Sequence, residues 1–113
     1  MKKSYSIENL NQLADGDTSF ISSIVEAFLE EISEDLESMM NAVHNENKEL
    51  VYYYAHKMKP NLKMFGLELE DTIKSMESWS KSNDKMDMVF PHINQISQVL
   101  EKTFTELRND FNL

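Results

Sequence analysis

The sequence predicts an all-α fold: an antiparallel four-helix bundle with a short additional N-terminal helix. Three observations carry that prediction. The 113 residues include only two glycines and two prolines, while Leu, Met, Glu, Lys, Asn and Ser abound. Apolar residues recur at spacings of three and four over long segments, the period of a helix with one buried face. Alternating β-branched segments bounded by turn clusters are missing, so nothing reads as a strand. A chain of this length makes one domain, residues 1–113, long enough to bury a real core.

Ser6 can cap a short first helix that runs to about Ala14, with Ile7, Leu10 and Leu13 on one side. Gly16-Asp17 breaks it, and Asp17 or Thr18 can cap a long second helix. That helix carries Phe20, Ile21, Ile24, Val25, Phe28, Leu29, Ile32, Leu36, Met39, Met40 and Val43 as an unbroken apolar stripe. Glu30, Glu31, Glu34, Asp35 and Glu37 are left to solvent, and the polar cluster His44-Asn45-Glu46-Asn47 ends the helix. The third helix spans about Lys48 to Phe65 and stops at Gly66, a natural residue for the position after a helix end. A fourth, about Leu67 to Lys81, uses Leu69, Ile73, Met76 and Trp79. After the turn Ser82-Asn83-Asp84, the pair Asp84 and Asp87 resembles a capping pair. The last helix carries Met88, Val89, Ile93, Ile96, Val99, Leu100, Phe104, Leu107 and Phe111. Pro91 lies near its start, so either the helix begins there or its first turn is kinked.

Composition removes several classes of function. Twenty acidic residues against eleven basic ones give a net charge of -9, which argues against a nucleic-acid partner because a duplex binder needs a basic surface. The absence of cysteine excludes a disulfide framework and thiolate metal sites, and fits a reducing cytoplasm. No apolar run approaches the roughly 18 residues needed to span a bilayer. The start, Met1-Lys2-Lys3-Ser4-Tyr5-Ser6, lacks an apolar signal segment. A cytoplasmic protein without a membrane partner is therefore expected. A starting Met and a compact closing helix favour a free-standing domain, and one bundle can bury these stripes internally as a monomer.

The stretch Ala55-His56-Lys57-Met58-Lys59-Pro60-Asn61-Leu62-Lys63-Met64-Phe65-Gly66 stands out from this acidic background. It sets a histidine among three lysines, with no acidic residue between Glu49 and Glu68. At about 100° per residue, His56, Lys59 and Lys63 share one stripe. Val51, Tyr54, Ala55, Met58, Leu62 and Phe65 cluster roughly opposite, on the side that seeks a core. The histidine is thus presented to solvent beside two cations, an arrangement suited to holding an anionic group on the imidazole. Tyr52, Tyr53, Pro60 and Met64 lie within roughly a quarter turn of His56 and can form an apolar rim.

Ala55-His56-x-Met58-Lys59, followed by Gly66 ten residues after the histidine, resembles the signature of histidine-containing phosphotransfer domains. The resemblance covers nearly the whole chain. It extends to the Gly16-Asp17 turn before an apolar helix containing Phe28, the polar break before the histidine helix, and the final helix. Met58 stands where leucine is usual, a mild change. Pro60 is the clear departure, since a small residue is usual four after the histidine. Its ring removes the amide that would donate to the His56 carbonyl, which predicts a local kink and a free carbonyl beside the imidazole. The phosphoacceptor segment of histidine kinases also pairs a histidine with a proline. There, however, an acidic residue follows the histidine directly and the proline comes five positions on, whereas here Lys57 follows and Pro60 comes at four.

The resemblance implies a carrier that takes a phosphoryl group from a receiver-domain aspartate onto His56 and passes it to another receiver aspartate. It also implies response-regulator receivers and a hybrid histidine kinase as partners, and no ATP-binding kinase site on this chain. Imidazole is nucleophilic when neutral, and its ordinary pKa of about 6.5 keeps it largely so near neutrality. The attacking atom is taken to be Nε2. Phosphoryl transfer asks mainly for positioning and for charge opposite the equatorial oxygens. Lys59, one turn away, is the candidate for that charge, and Lys63 is a further candidate that can instead contact the partner. Tyr52, Tyr53, Lys57, Pro60 and Met64 are the candidate partner-binding residues, the positive patch orienting an acidic receiver. No cofactor of the chain's own is expected; magnesium belongs to the receiver's acidic pocket.

The plainer interpretations are that these lysines are solvated charges, that His44 and His92 are surface residues, and that the eight methionines and Trp79 are packing. No two histidines have the spacing of a metal site on a helix. The competing function from another class is a non-catalytic acidic helical module that binds a partner helix, with His56 incidental.

Overall fold

A computed structural model describes residues 3–113, so Met1 and Lys2, which begin the segment expected to lack a signal, lie outside the described residues. Five α-helices follow in order: α1 Ile7–Ala14, α2 Thr18–His44, α3 Lys48–Met64, α4 Glu70–Ser80 and α5 Phe90–Phe111, with a 3-10 turn at Met86–Val89 before the last. Helices α2 to α5 form a ring in which each packs on the next and α5 returns to α2. The connections 45–47, 65–69 and 81–89 are short enough that neighbours must run antiparallel. At 1.5 Å per residue the 27 residues of α2 span about 40 Å, which accounts for most of the 46 Å long axis.

The caps explain the boundaries. Ser6 and Asp17 accept from the amides of Asn9 and Phe20 at the starts of α1 and α2, and Asn47 accepts from Leu50 at the start of α3. Helix α3 continues through Pro60 to Met64, so the ring deletes one backbone bond without ending the helix. It ends in a Schellman turn: Gly66 N–H donates to Lys63 O at 3.0 Å and Leu67 N–H to Leu62 O at 3.0 Å.

That turn corrects the expected start of α4. Leu67 and Leu69 are buried in the core, so the chain tucks inward there and the helix starts at Glu70. The Asp84–Asp87 capping pair does not form either. The Asp84 amide donates to Ser82 Oγ, and the 3-10 turn starts from Lys85 without a side-chain cap. Pro91 occupies the first turn of α5, where its missing amide costs little.

The core is one continuous cluster along the bundle axis. Phe28 stacks on Phe65 at 3.9 Å between ring centroids and meets Phe104 edge-on at 6.3 Å, tying α2, the end of α3 and α5 together. Some residues assigned to the core lie outside it: Ile7, Leu13, Phe20 and Met88 are all exposed. Of α1, Leu10 and Ala14 alone are buried, because that helix touches the bundle over one turn of one face. It covers the end where α3 stops and α2 begins, with Ser6 N–H donating to Phe65 O at 2.8 Å.

Gly66 makes that closure possible. Its φ is +69°, and a Cβ there would lie 2.7 Å from Ser6 Cβ. Gly66→Ala is expected to destabilise the fold by about 2 kcal/mol, from left-handed strain plus displacement of α1. A urea titration checks this, and an unchanged midpoint would contradict the assigned contact.

At the opposite end of α3, Lys48 reaches the C-terminus of α4. Its ammonium donates to Ser82 O at 3.0 Å and Asp84 O at 2.6 Å and lies 4.6 Å over the Trp79 ring. Trp79 is buried and donates its indole N–H to Lys85 O. Helices α3 and α4 are thus fastened at both ends, with His56 midway between.

The segment before α1 is pinned to α5. Ser4 binds Glu106 and Thr103, and Tyr5 donates its hydroxyl to Asp110 at 2.6 Å. Burial, then the hydrogen bond to Asp110 and its charge, raise the Tyr5 phenol well above its ordinary value of 10.0. A raised folded value favours the neutral phenol, so this contribution is complete below pH 10.0 and is lost as pH rises through the folded value. Stability to urea is expected to fall as pH rises above 10.0, and Tyr5→Phe should lessen that fall.

Candidate functional site

The middle of α3 faces the middle of α4, and His56 stands on the rim between them. Val51, Ala55, Met58 and Leu62 turn into the core, which leaves the imidazole outward with 63% of its side chain exposed. Two contacts hold the ring, and a third holds the carboxylate that makes one of them. Nδ1 lies 2.9 Å from Glu77 Oε2, the other Glu77 oxygen accepts from Lys59 Nζ at 3.0 Å, and the Tyr52 ring stacks on the imidazole at 5.7 Å and 10°. Lys81 Nζ lies 4.7 Å from the centroid of that tyrosine ring.

Glu77 sets the chemistry of the ring. Partial burial alone would raise its carboxyl. The hydrogen bonds from His56 and Lys59, with the charge of Lys59, outweigh that effect and hold it below its ordinary value of 4.5. An ionised carboxylate only accepts, so the proton of a neutral imidazole resides on Nδ1 and the lone pair on Nε2. The result is a fixed ring with a nucleophilic nitrogen toward solvent.

His56 borders a shallow depression of about 420 Å³, lined also by Tyr52, Lys59, Lys74, Glu77, Ser78 and Lys81. Of the residues expected at the site, the structure brings together His56, Lys59 and Tyr52. Lys59 does not stand free, as its ammonium is shared with Glu77. Tyr52 serves as the platform under the ring rather than as an outer rim. Lys57 points to α2, where its ammonium donates to the buried Asp35 at 2.7 Å. That hydrogen bond is the leading cause of the raised Lys57 pKa, and it makes the residue a strut between helices. Asp35 was assigned to solvent by its place on the α2 wheel; its carboxylate is instead buried, with Oδ2 unpartnered among the described residues.

Lys63 is exposed and lines other depressions, with Leu62, Gly66 and Leu67 on one side and with Asn9, Gln12 and Leu13 on the other. It does not border the depression beside His56. Tyr53 and Pro60 are exposed. Met64 joins Leu13, Phe20 and Ile24 in an apolar groove of about 260 Å³.

Glu77, Lys74, Ser78 and Lys81 were not singled out from the sequence. The signal was present in weak form, since at about 100° per residue these four fall within roughly 100° of arc on the flank of the α4 apolar stripe. The stretch without acids around His56 is free of them along the chain but not in space.

No protein-family model, curated protein or solved structure matches the chain.

Proposed function

We propose that this protein is a histidine phosphocarrier of a multistep two-component phosphorelay. It takes a phosphoryl group from a receiver-domain aspartate onto His56 and passes it to another receiver aspartate, acting as a cytoplasmic monomer without a kinase site of its own. The observation that carries this reading is the His56–Glu77–Lys59 arrangement, an outward imidazole whose Nδ1 is held by a carboxylate that is itself tied to a lysine.

The steps follow from that geometry. The Nε2 lone pair attacks phosphorus, the bond from phosphorus to the aspartyl oxygen breaks, and the receiver carboxylate leaves with the electron pair. The proton on Nδ1 stays there, and the positive charge gained by the ring is stabilised by Glu77. The return step reverses these events on a second receiver. Lys59 keeps Glu77 in place and contributes positive charge near the transferred group. Magnesium would be held in the receiver's acidic pocket. The apolar groups available for docking are Tyr53 and Pro60 on α3 and the groove that holds Met64, Leu13 and Phe20; Tyr53, Leu13 and Phe20 are exposed large apolar residues.

Incubation with a phosphorylated receiver, followed by intact-mass measurement, tests the reading. An acid-labile gain of one phosphate that disappears in His56→Gln is expected. No gain with any of several receivers would sink it and leave the non-catalytic interaction module.

A further inference from the structure

We propose that α4 provides an anion seat opposite His56, in which Lys74, Ser78 and Lys81 hold the oxygens of a phosphoryl group as it arrives at or leaves Nε2. The inference rests on the phosphocarrier reading of His56, and it names a second set of residues that the reading does not require.

Residues 74, 78 and 81 lie at i, i+4 and i+7 on α4, so they form one stripe, and all three line the depression whose α3 wall is His56. The acid within that depression is already satisfied. Glu77 gives one oxygen to His56 and the other to Lys59, so it does not neutralise the lysines of α4. Lys74 pairs with Glu70 one turn away at 3.3 Å, but both side chains are more than half exposed, 59% and 71%, and such a pair is weak and easily exchanged.

Lys81 makes no ion pair among the described residues. Its ammonium is held over the Tyr52 ring, and Tyr52 in turn stacks on His56, so one ring links the two side chains and the cation borders the same depression without a carboxylate competing for it. The Ser78 hydroxyl has no hydrogen-bond partner among the described residues and can donate. An ammonium held only over a ring, a second in an easily exchanged pair, and a hydroxyl match the charge and acceptor count of a phosphoryl dianion. In a protein of net charge -9, three lysines lining one depression beside an outward imidazole are the feature that needs a ligand.

The seat is separable from receiver docking by using phosphoramidate, a small donor. Its P–N bond breaks as the Nε2–P bond forms, and ammonia leaves. The double variant Lys74→Gln/Lys81→Gln should be phosphorylated at His56 at least about tenfold more slowly than wild type, with both the donor and a phosphorylated receiver. Lys81→Arg should retain most of the rate, and circular dichroism should show unchanged helix content. If the double variant matches wild type within about twofold while His56 is still phosphorylated, the seat is wrong and the phosphocarrier reading stands. Slowing with the receiver alone makes the lysines docking contacts and likewise overturns the seat. If wild type accepts no phosphate from any donor, line broadening of inorganic phosphate in 31P spectra decides. Broadening lost in the double variant upholds the seat while the phosphocarrier reading fails, and unchanged or absent broadening rejects the seat too.

Discussion

Glu77→Gln is expected to slow phosphoryl transfer to His56 by about 100-fold while leaving the bundle folded. The two oxygens of Glu77 each accept from a separate donor, Nδ1 of His56 and Nζ of Lys59. A glutamine amide is nearly isosteric but has one acceptor oxygen and one NH2 donor. Lysine can only donate, so the oxygen turns to Lys59 and the NH2 faces Nδ1. The ring then favours the tautomer protonated on Nε2, and the nucleophilic position is blocked. Glu77→Ala removes the orientation without imposing the wrong tautomer and should be the milder change. Transfer rates and imidazole 15N shifts measure the two effects. A wild-type rate in Glu77→Gln with unchanged shifts would remove Glu77 from the mechanism. Acid should act on the same contact. Because the Glu77 carboxyl is held below 4.5 in the folded protein, its support is present above that pH and is lost as pH falls through the lowered value.

Lys57→Met should cost about 2 kcal/mol of stability, because it leaves the Asp35 carboxylate buried without its ion-pair partner. Breaking a fully buried pair costs about 3–5 kcal/mol, and the smaller figure here reflects a Lys57 side chain that is 40% exposed to water. Oδ2 of Asp35 has no partner among the described residues to soften the loss. The double variant Lys57→Met/Asp35→Leu should recover most of the stability, since an apolar pair needs no desolvation of charge. Urea midpoints of the two single variants and the double variant close the cycle. Additive losses would show that the two side chains do not interact. The strut also fixes the rotation of α3 on α2, so the single variant should shift the His56 ring resonances even though Lys57 does not line the site.

The helices were legible because each buries one face. A periodic apolar stripe records that burial residue by residue, and the caps at Ser6, Asp17 and Asn47 mark where the stripes begin. Reading failed where a local pattern met a longer-range demand. Leu67 and Leu69 have helical spacing but are drawn inward by the turn at Gly66, so α4 starts later. Ile7, Leu13 and Phe20 have apolar spacing but no helix to cover them, because α1 is too short to wrap the bundle end. Asp35 looks like one more solvated acid on the α2 wheel, and only the approach of Lys57 from α3 accounts for its burial.

The site divides along the same line. That His56 faces outward with Lys59 beside it is written into the chain, because both lie on the polar side of one helix whose apolar side is unambiguous. That Glu77 grips the imidazole, that Lys57 looks away, and that Lys74 and Lys81 gather at the same depression depend on how far α4 is slid and turned against α3. Those two quantities are set by the Gly66 turn at one end and the Lys48 clamp at the other. Helical periodicity reports the face a residue occupies on its own helix and is silent about its neighbour across the gap, so the partners of the imidazole emerge only once the helices pack.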